Sequence, residues 1–460
     1  MGGPPAEGAL EVHAPADTDR LPAGHVVGHS ASRCGDRRGP HPRRPGTAAR
    51  ALARLRSHRA EGADVDGSGT GAGAARPIGV GIIGFGWMGR VHAQAHARVR
   101  HHFPDLEVVP RLVAVADDVP GRAEQAAARF GFARATTDWR ALLGDPAVEL
   151  VSVTAPNWLH REIGVAVAEA GRHLWIEKPV GLTAADARAV ADAVAAAGVQ
   201  AVVGFNYRNA PAVALARELV ADGAIGRLTH ARFAFLSDYA AAPDGALTCR
   251  YERARGGTGV LGDLASLAVD LVRYVLGGEV TSVLADTAVF LAERPRPTGA
   301  TAGHARAAGG VTGPVENEDH VSALLRLSSG ARVALEASRV AVGEQNAYGF
   351  EVHGTDGRLA WDFRRMGELQ VSRGPSPQDQ PVSTVLAGPG AGDYAAFQPG
   401  AATAMGYDDL KVVEARDALA SVARGRALGA GLADAVRAAV VLDALVASAD
   451  SGRRVDVPVG

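Results

Sequence analysis

Residues 78–89 read Ile-Gly-Val-Gly-Ile-Ile-Gly-Phe-Gly-Trp-Met-Gly: an apolar run that breaks into the spacing Gly84-x-Gly86-x-x-Gly89. A helix-compatible stretch follows, from Trp87 to about Arg100. No other feature of the chain restricts its fold as tightly. The run has the length of one buried strand, the glycines permit a tight turn in which backbone approaches a pyrophosphate, and the next helix turns its N-terminus toward that charge. GxGxxG alone is a weak signal, and its place between a strand and a helix makes it a strong one. Gly84, Phe85, Gly86, Trp87, Met88 and Gly89 are therefore the expected dinucleotide contacts.

The pattern continues as strand and helix in alternation. Apolar runs over 112–116, 150–154, 173–176 and 200–205 predict strands, and 121–130, 160–170 and 183–197 predict helices. Elements of this length in this order favour a parallel sheet covered on both faces. Beyond Asn206 the alternating stretches lengthen: strands are expected over 228–236, 280–291, 320–327, 331–340, 349–353 and 358–362, with helices over 212–221, 266–276, 410–423 and 433–449. Segments 295–314 and 374–399, dense in Gly and Pro, read as loops, and Gly354 to Gly357 as a hairpin turn using positive φ at Gly and Asp. The expected fold class is α/β: an N-terminal Rossmann, doubly wound parallel sheet over 77–205, then an α+β domain over 206–460 with an open-faced, largely antiparallel sheet for substrate and oligomer contacts. Residues 1–76 are rich in Gly, Pro, Ala and Arg, lack a period and end in the Gly-Ser-Gly-Thr-Gly-Ala-Gly stretch 67–73, which predicts a disordered extension. Only 47–59 has helical character, too short to persist alone.

Composition excludes several function classes. A formal net charge of −2 gives no basic surplus for nucleic acid or an anionic membrane. Cys34 and Cys249 are the two cysteines, far apart and without a CxxC pair, so neither a disulfide framework nor a thiolate metal site is expected. The histidines, His101-His102 among them, lack metal-ligand spacing, and no metal is expected. No apolar run approaches the ~18 residues of a membrane span, and Gly, Pro and Arg follow the twin arginines Arg37-Arg38 and Arg43-Arg44. The expected setting is cytoplasmic.

Asp117 follows the second strand, where a carboxylate accepts hydrogen bonds from adenosine ribose hydroxyls and repels a 2′-phosphate. NAD is thus favoured, with NADP open; Asp118 is the neighbouring candidate, and either could simply cap the next helix. The interval from Gly89 to Asp117 exceeds the usual ~20 residues, which calls for an extended helix or exit loop around 101–110. Thr154-Ala155-Pro156-Asn157 closes the third strand and faces the nucleotide crevice, with His160 three residues on. A lone histidine at a helix start more often caps or packs than catalyses. Basic side chains are nearly all arginine, and lysine occurs only at Lys178 and Lys411. Glu177-Lys178-Pro179 follows the strand at 173–176, which delivers a lysine to the carboxyl edge of the sheet. A partly desolvated ammonium can exchange a proton with a substrate hydroxyl, whereas a guanidinium holds its proton.

Together these residues resemble the Gfo/Idh/MocA oxidoreductases over most of 78–459. The resemblance rests on Gly84 to His92, on Thr154-Ala155-Pro156-Asn157 with His160, on Glu177-Lys178-Pro179 and on Gly204-Phe205-Asn206-Tyr207-Arg208. It implies bound NAD or NADP, reversible hydride transfer on a sugar, inositol or related polyol, and a homodimer or homotetramer. It also implies that Lys178 is the catalytic lysine, that Glu177 lies by the cofactor, and that Asn206, Tyr207 and Arg208 lie near nicotinamide and substrate. The segments 336–339 and 351–357 resemble the family's second domain.

One departure stands out. In Gly259 to Asp270 the family's Asp falls on Asp263, but the histidine four residues later is replaced by Leu267. That histidine would sit on the helix face of the Asp and take the hydroxyl proton. Either Lys178 alone serves as acid/base, or Tyr207, Tyr251 or Asp263 replaces the imidazole, or hydride chemistry is weakened. Asp263 either binds a substrate hydroxyl or caps the helix beginning near Ser266. The leading reading is a dehydrogenase with Lys178 and Asp263 as catalytic residues. The alternatives are a dinucleotide- or metabolite-binding protein with little catalysis, and a glycoside-cleaving enzyme that retains its NAD.

Overall fold

The computed structural model describes residues 75–297, 306–307, 310–374 and 376–458, all within one compact unit. The expected N-terminal extension lies outside these residues except for Ala75 and Arg76, and Arg76 already begins the first strand.

Strand β1 (Arg76–Ile83) buries Ile78, Val80 and Ile82 completely. It is followed by helix α1 (Trp87–His102), β2 (Val108–Ala116), α2 (Arg122–Phe130), β3 (Arg134–Thr136), α3 (Trp139–Leu143), β4 (Leu150–Val153), α4 (His160–Glu169), β5 (His173–Ile176), α5 (Ala184–Ala197) and β6 (Ala201–Val203). The six strands form one parallel sheet in the order β3-β2-β1-β4-β5-β6. The chain thus runs outward from β1 in one direction and then in the other, and the switch point lies between β1 and β4, whose carboxyl ends open the crevice. The long interval before Asp117 is filled by regular structure: α1 has 16 residues and β2 nine, so only a short connection joins them. β3 and α3, three and five residues long, were too short to carry a period and escaped the sequence reading. Thr183 caps α5, its hydroxyl accepting from the Asp186 amide.

After α6 (Pro211–Ala221) come β7 (Leu228–Leu236), the short α7 (Arg253–Gly256), a π-helical turn (Leu261–Ala265), α8 (Ser266–Leu276), β8 (Val280–Ala288), β9 (Glu293–Pro295), β10 (Thr312–Pro314), β11 (His320–Leu327), β12 (Arg332–Ser338), β13 (Ala347–Gly354), β14 (Gly357–Asp362), β15 (Glu368–Arg373), β16 (Val382–Leu386), α9 (Tyr407–Arg424), α10 (Leu432–Ser451) and β17 (Val455–Asp456). Nine strands make a mixed sheet, β16-β15-β14-β13-β7-β12-β11-β8-β17, antiparallel except between β7 and β12. On β11 and β12 burial alternates residue by residue, one face in the core and the other exposed.

Three expectations are corrected. The segment 374–399 is not wholly loop, since β16 pairs with β15; its side chains are almost all exposed, so no apolar alternation announced it. Part of 295–314 likewise pairs, as β9 with β10. The turn between β13 and β14 contains no positive φ. Its glycines answer to space instead: a Cβ on Gly354 would lie 2.0 Å from the Ile225 carbonyl oxygen.

Helix α9, although it lies within 206–460, shares its core with the first sheet: Val412, Ala415 and Leu419 pack in the same cluster as Ile78, Val80 and Val99. Among the described residues no helix is long and apolar enough to cross a membrane.

Candidate active site

The glycine turn assigns each glycine a different task. Gly84 has φ +85°, and a Cβ there would lie 2.7 Å from the Ala155 backbone, so the turn closes against the end of β4. A Cβ on Gly89 would come within 2.4 Å of the Gly84 carbonyl oxygen, which lets α1 start tight on the turn. Gly86 faces open space, with nothing within 4 Å of a Cβ. Phe85 points inward, edge-on to Phe130 and Phe132 at 5.3 and 5.9 Å between ring centroids. Trp87 is exposed and stacks on Tyr407 at the start of α9, 5.5 Å between centroids; the Tyr407 hydroxyl lies 3.8 Å from the Met88 sulfur.

The strand ends supply the surrounding groups. Asp117, buried at the end of β2, accepts from the Phe85 amide at 2.6 Å, the Val119 amide at 3.0 Å and the Arg122 guanidinium at 3.1 Å. Asp118 is exposed. The Thr154 hydroxyl donates to the Gly84 carbonyl at 2.5 Å, tying β4 to the turn. Pro156 is exposed beside the half-buried Asn157. His160 is buried, with Nδ1 2.7 Å from the Pro179 carbonyl and Nε2 2.7 Å from that of Ala155. Both ring nitrogens are occupied by backbone, so His160 joins two turns and has none left for a ligand.

Lys178 emerges from the end of β5. Its Nζ donates to the Asp263 carbonyl at 2.6 Å and lies 3.4 Å from Asp263 Oδ1. The other carboxylate oxygen accepts from the Tyr239 hydroxyl at 2.5 Å and lies 3.6 Å from the half-exposed Arg250 guanidinium. Burial opposes charge on Asp263, but Lys178, Arg250 and the Tyr239 hydrogen bond outweigh it and hold the carboxyl well below its ordinary range. Burial, with Asp263 adjacent, raises the Tyr239 phenol well above its ordinary value, so it remains a neutral donor. Tyr239 and Arg250 were missed in the sequence because they lie in the irregular segment after β7, where spacing carries no signal. Glu177, adjacent to Lys178, points elsewhere: its Oε1 meets His92 Nε2 at 2.9 Å and the Lys411 ammonium at 2.5 Å.

Asp263 is not the cap of α8: it sits in the π-helical turn, and the N-cap of α8 is Ala265. Other candidates have partners other than Lys178. Leu267 is buried in the core, its carbonyl accepting from the Tyr348 hydroxyl at 2.8 Å. Tyr251 is packed between the Arg294 and Arg339 guanidiniums, 4.3 and 4.7 Å from its ring. Tyr207 lies among aromatic rings, edge-on to Tyr348 at 4.7 Å and Phe363 at 5.0 Å. Arg208 is committed to Asp270, 2.7 Å from its Nε, and to Asp434, 3.1 Å from Nη1, which makes it an ion-pair strut rather than a neighbour of Lys178. Asn206 differs: it is buried beside the Tyr407 hydroxyl, and its Nδ2 lacks a hydrogen bond of normal geometry among the described residues.

Comparison with known proteins agrees with this geometry. Residues 78–205 match the oxidoreductase family with an NAD-binding Rossmann fold, and residues 213–360 match the GFO/IDH/MocA C-terminal domain. Levoglucosan dehydrogenase of Pseudarthrobacter phenanthrenivorans is 37% identical over 384 residues, 83% of this chain and 98% of that protein. The chain belongs to the Gfo/Idh/MocA oxidoreductase family. Inositol 2-dehydrogenase of Rhizobium meliloti is 28% identical over 64% of this chain and 78% of its own length. The solved structure of levoglucosan dehydrogenase in complex with NADH and levoglucosan superposes with a TM-score of 0.78 at 36% identity, covering 84% of this chain and all of that one. Both domains of the family fold are thus present here, the first an NAD-binding Rossmann domain.

Proposed function

We propose that the protein is an NAD-dependent dehydrogenase that oxidises one hydroxyl of a neutral sugar or polyol of the levoglucosan or inositol kind, with Lys178 as its acid/base. The observation that carries this is the meeting of Lys178, Asp263 and Tyr239 at the carboxyl edge of the sheet whose first strand ends in the glycine turn. The residues present fit a dinucleotide. The open face of Gly86 gives room for pyrophosphate at the N-terminus of α1, Asp117 stands at the ribose end, and the buried Asn206 amide, without a hydrogen bond of normal geometry among the described residues, is a donor a bound group could use. Thr154, Pro156 and Asn157 line the same strand-end crevice. The bound nicotinamide supplies the acceptor or donor of hydride.

The chain's own residues supply the rest. In its neutral form the Lys178 amine takes the proton of the substrate hydroxyl as the C–H bond breaks; in the reverse direction its ammonium returns it. Asp263, kept ionised, attracts the ammonium and accepts a second substrate hydroxyl. Its low proton affinity makes it a poor base, so the proton load falls on Lys178. Tyr239 holds the carboxylate in place and offers its oxygen to the substrate. Leu267, buried where the family carries histidine, takes no part. That same leucine favours the second reading, a dinucleotide-binding protein with little turnover.

The oligomer is a homodimer or homotetramer formed through the open sheet face, and the reaction is cytoplasmic. Reduced-nicotinamide absorbance with levoglucosan and inositols as substrates tests the proposal. Turnover establishes the dehydrogenase despite Leu267; NAD binding without turnover on any polyol establishes the second reading.

A further inference from the structure

Lys411 is the chain's other lysine, and the reaction as described leaves it idle. Helix α9 places Tyr407, Lys411 and Glu414 at i, i+4 and i+7, on one face. Lys411 is fully buried, its Nζ 2.5 Å from Glu177 Oε1 and 2.8 Å from Glu414 Oε2. Glu177 also meets His92 of α1 at 2.9 Å and presses against Gly204, where a Cβ would lie 2.6 Å from both carboxylate oxygens. The indole of Trp175 donates to Glu414 at 3.3 Å, and the His92 ring stacks on that indole, 3.6 Å between centroids. Three elements thus fix the side chain that immediately precedes Lys178. Apolar packing would fill such a space more cheaply than an ammonium between two carboxylates.

We infer that Lys411 is a positioning residue for the reaction: by holding the Glu177 carboxylate it sets the peptide that carries Lys178, and with it the reach of the Lys178 amine to the substrate. The inference rests on the assignment of Lys178 above. Burial opposes charge on Glu177, but Lys411 and His92 outweigh it and keep it ionised. Burial, opposed by Lys411 and reinforced by the Glu177 charge, raises Glu414 to about 8, and burial lowers His92 to about 4. Near neutral pH the cluster therefore holds one cation and one anion. The groups facing Glu414 are Lys411 and Tyr407 of its own helix, Trp175 of β5 and Glu177 just beyond it, and, on α1, His92 stacked on Trp175 and His96 edge-on to it. Arg416, next on α9, pairs with both Asp417 and Asp393.

The test is kcat and KM against pH for the wild type, Lys411→Met and Glu414→Gln, with folding checked by near-ultraviolet circular dichroism. Folded Lys411→Met is expected to lose about 10- to 100-fold in kcat at pH 8, the cost of misplacing a reacting group by about an ångström, with KM within about 3-fold. Glu414→Gln should keep the wild-type kcat at pH 7 and lose the decline that the wild type is expected to show above about pH 8, where a second carboxylate competes for Lys411. Wild-type kcat at every pH in folded Lys411→Met overturns the inference. Should that variant not fold, an unchanged alkaline limb in Glu414→Gln overturns it. Failure of the underlying assignment is distinguishable, because it would show as turnover in Lys178→Met.

Discussion

The chain's two lysines lie in two polar clusters built on opposite plans. Around Lys178, one carboxylate is shared by an ammonium, a phenol and a guanidinium, and the side chains of Lys178 and Asp263 stay 16% and 27% exposed. Around Lys411, two carboxylates and a stacked imidazole close over an ammonium that is 0% exposed. The first cluster is left open on the side where a substrate hydroxyl would enter; the second has no room for one. The same residue type can thus exchange a proton in one place and fix geometry in the other, and solvent access decides which.

The comparison breaks most visibly at Lys178. Lys178→Met should lower kcat by about 10³-fold, within the range for loss of an acid/base, while the denaturation midpoint and dinucleotide binding by tryptophan fluorescence stay near wild type. Lys411→Met should reverse the ranking. It leaves the buried Glu177 carboxylate without its cation, and urea unfolding should register a loss of about 3–5 kcal/mol. Equal stability losses in the two variants would remove the distinction between the clusters.

The glycine turn sharpens the same contrast between space kept for a ligand and space closed by packing. Gly86→Ala meets nothing within 4 Å and should leave the melting temperature unchanged while weakening NAD binding at least about 10-fold. Gly84→Ala forces a side chain onto φ +85° against the Ala155 backbone, and should destabilise by about 1–3 kcal/mol or more. Calorimetry with and without NAD separates the two.

The smallest effect is in pH dependence. Glu414 is raised above its ordinary value, so between about 4.5 and about 8 the native state holds a proton that the unfolded chain has released. Stability from this group is therefore full at low pH and declines as pH rises through 8. Glu414→Gln should flatten that slope in urea titrations at stepped pH. Asp263, shifted the opposite way, contributes above its ordinary value and loses that contribution as pH falls.

Much of this was legible in the sequence where geometry is local. A glycine spacing after an apolar run, and a lysine at a strand end, are fixed by residues a few positions apart, so the Rossmann strands and the place of Lys178 could be read directly. Asp263 was found through resemblance, but its partners Tyr239 and Arg250 are 24 and 13 positions upstream in a segment without period. Lys411 was noticed as a rarity and left unassigned, because it meets Glu177 across 234 positions. The π-helical turn at Leu261–Ala265 also hid the geometry of Asp263, since an i, i+4 argument presumes a regular helix.

The most direct test of the account is the appearance of reduced nicotinamide when NAD and levoglucosan, or an inositol, are mixed with wild type and with Lys178→Met at equal dinucleotide occupancy. The account predicts steady NAD reduction by the wild type on at least one such substrate and almost none by the variant. Turnover at the wild-type rate by Lys178→Met would contradict it.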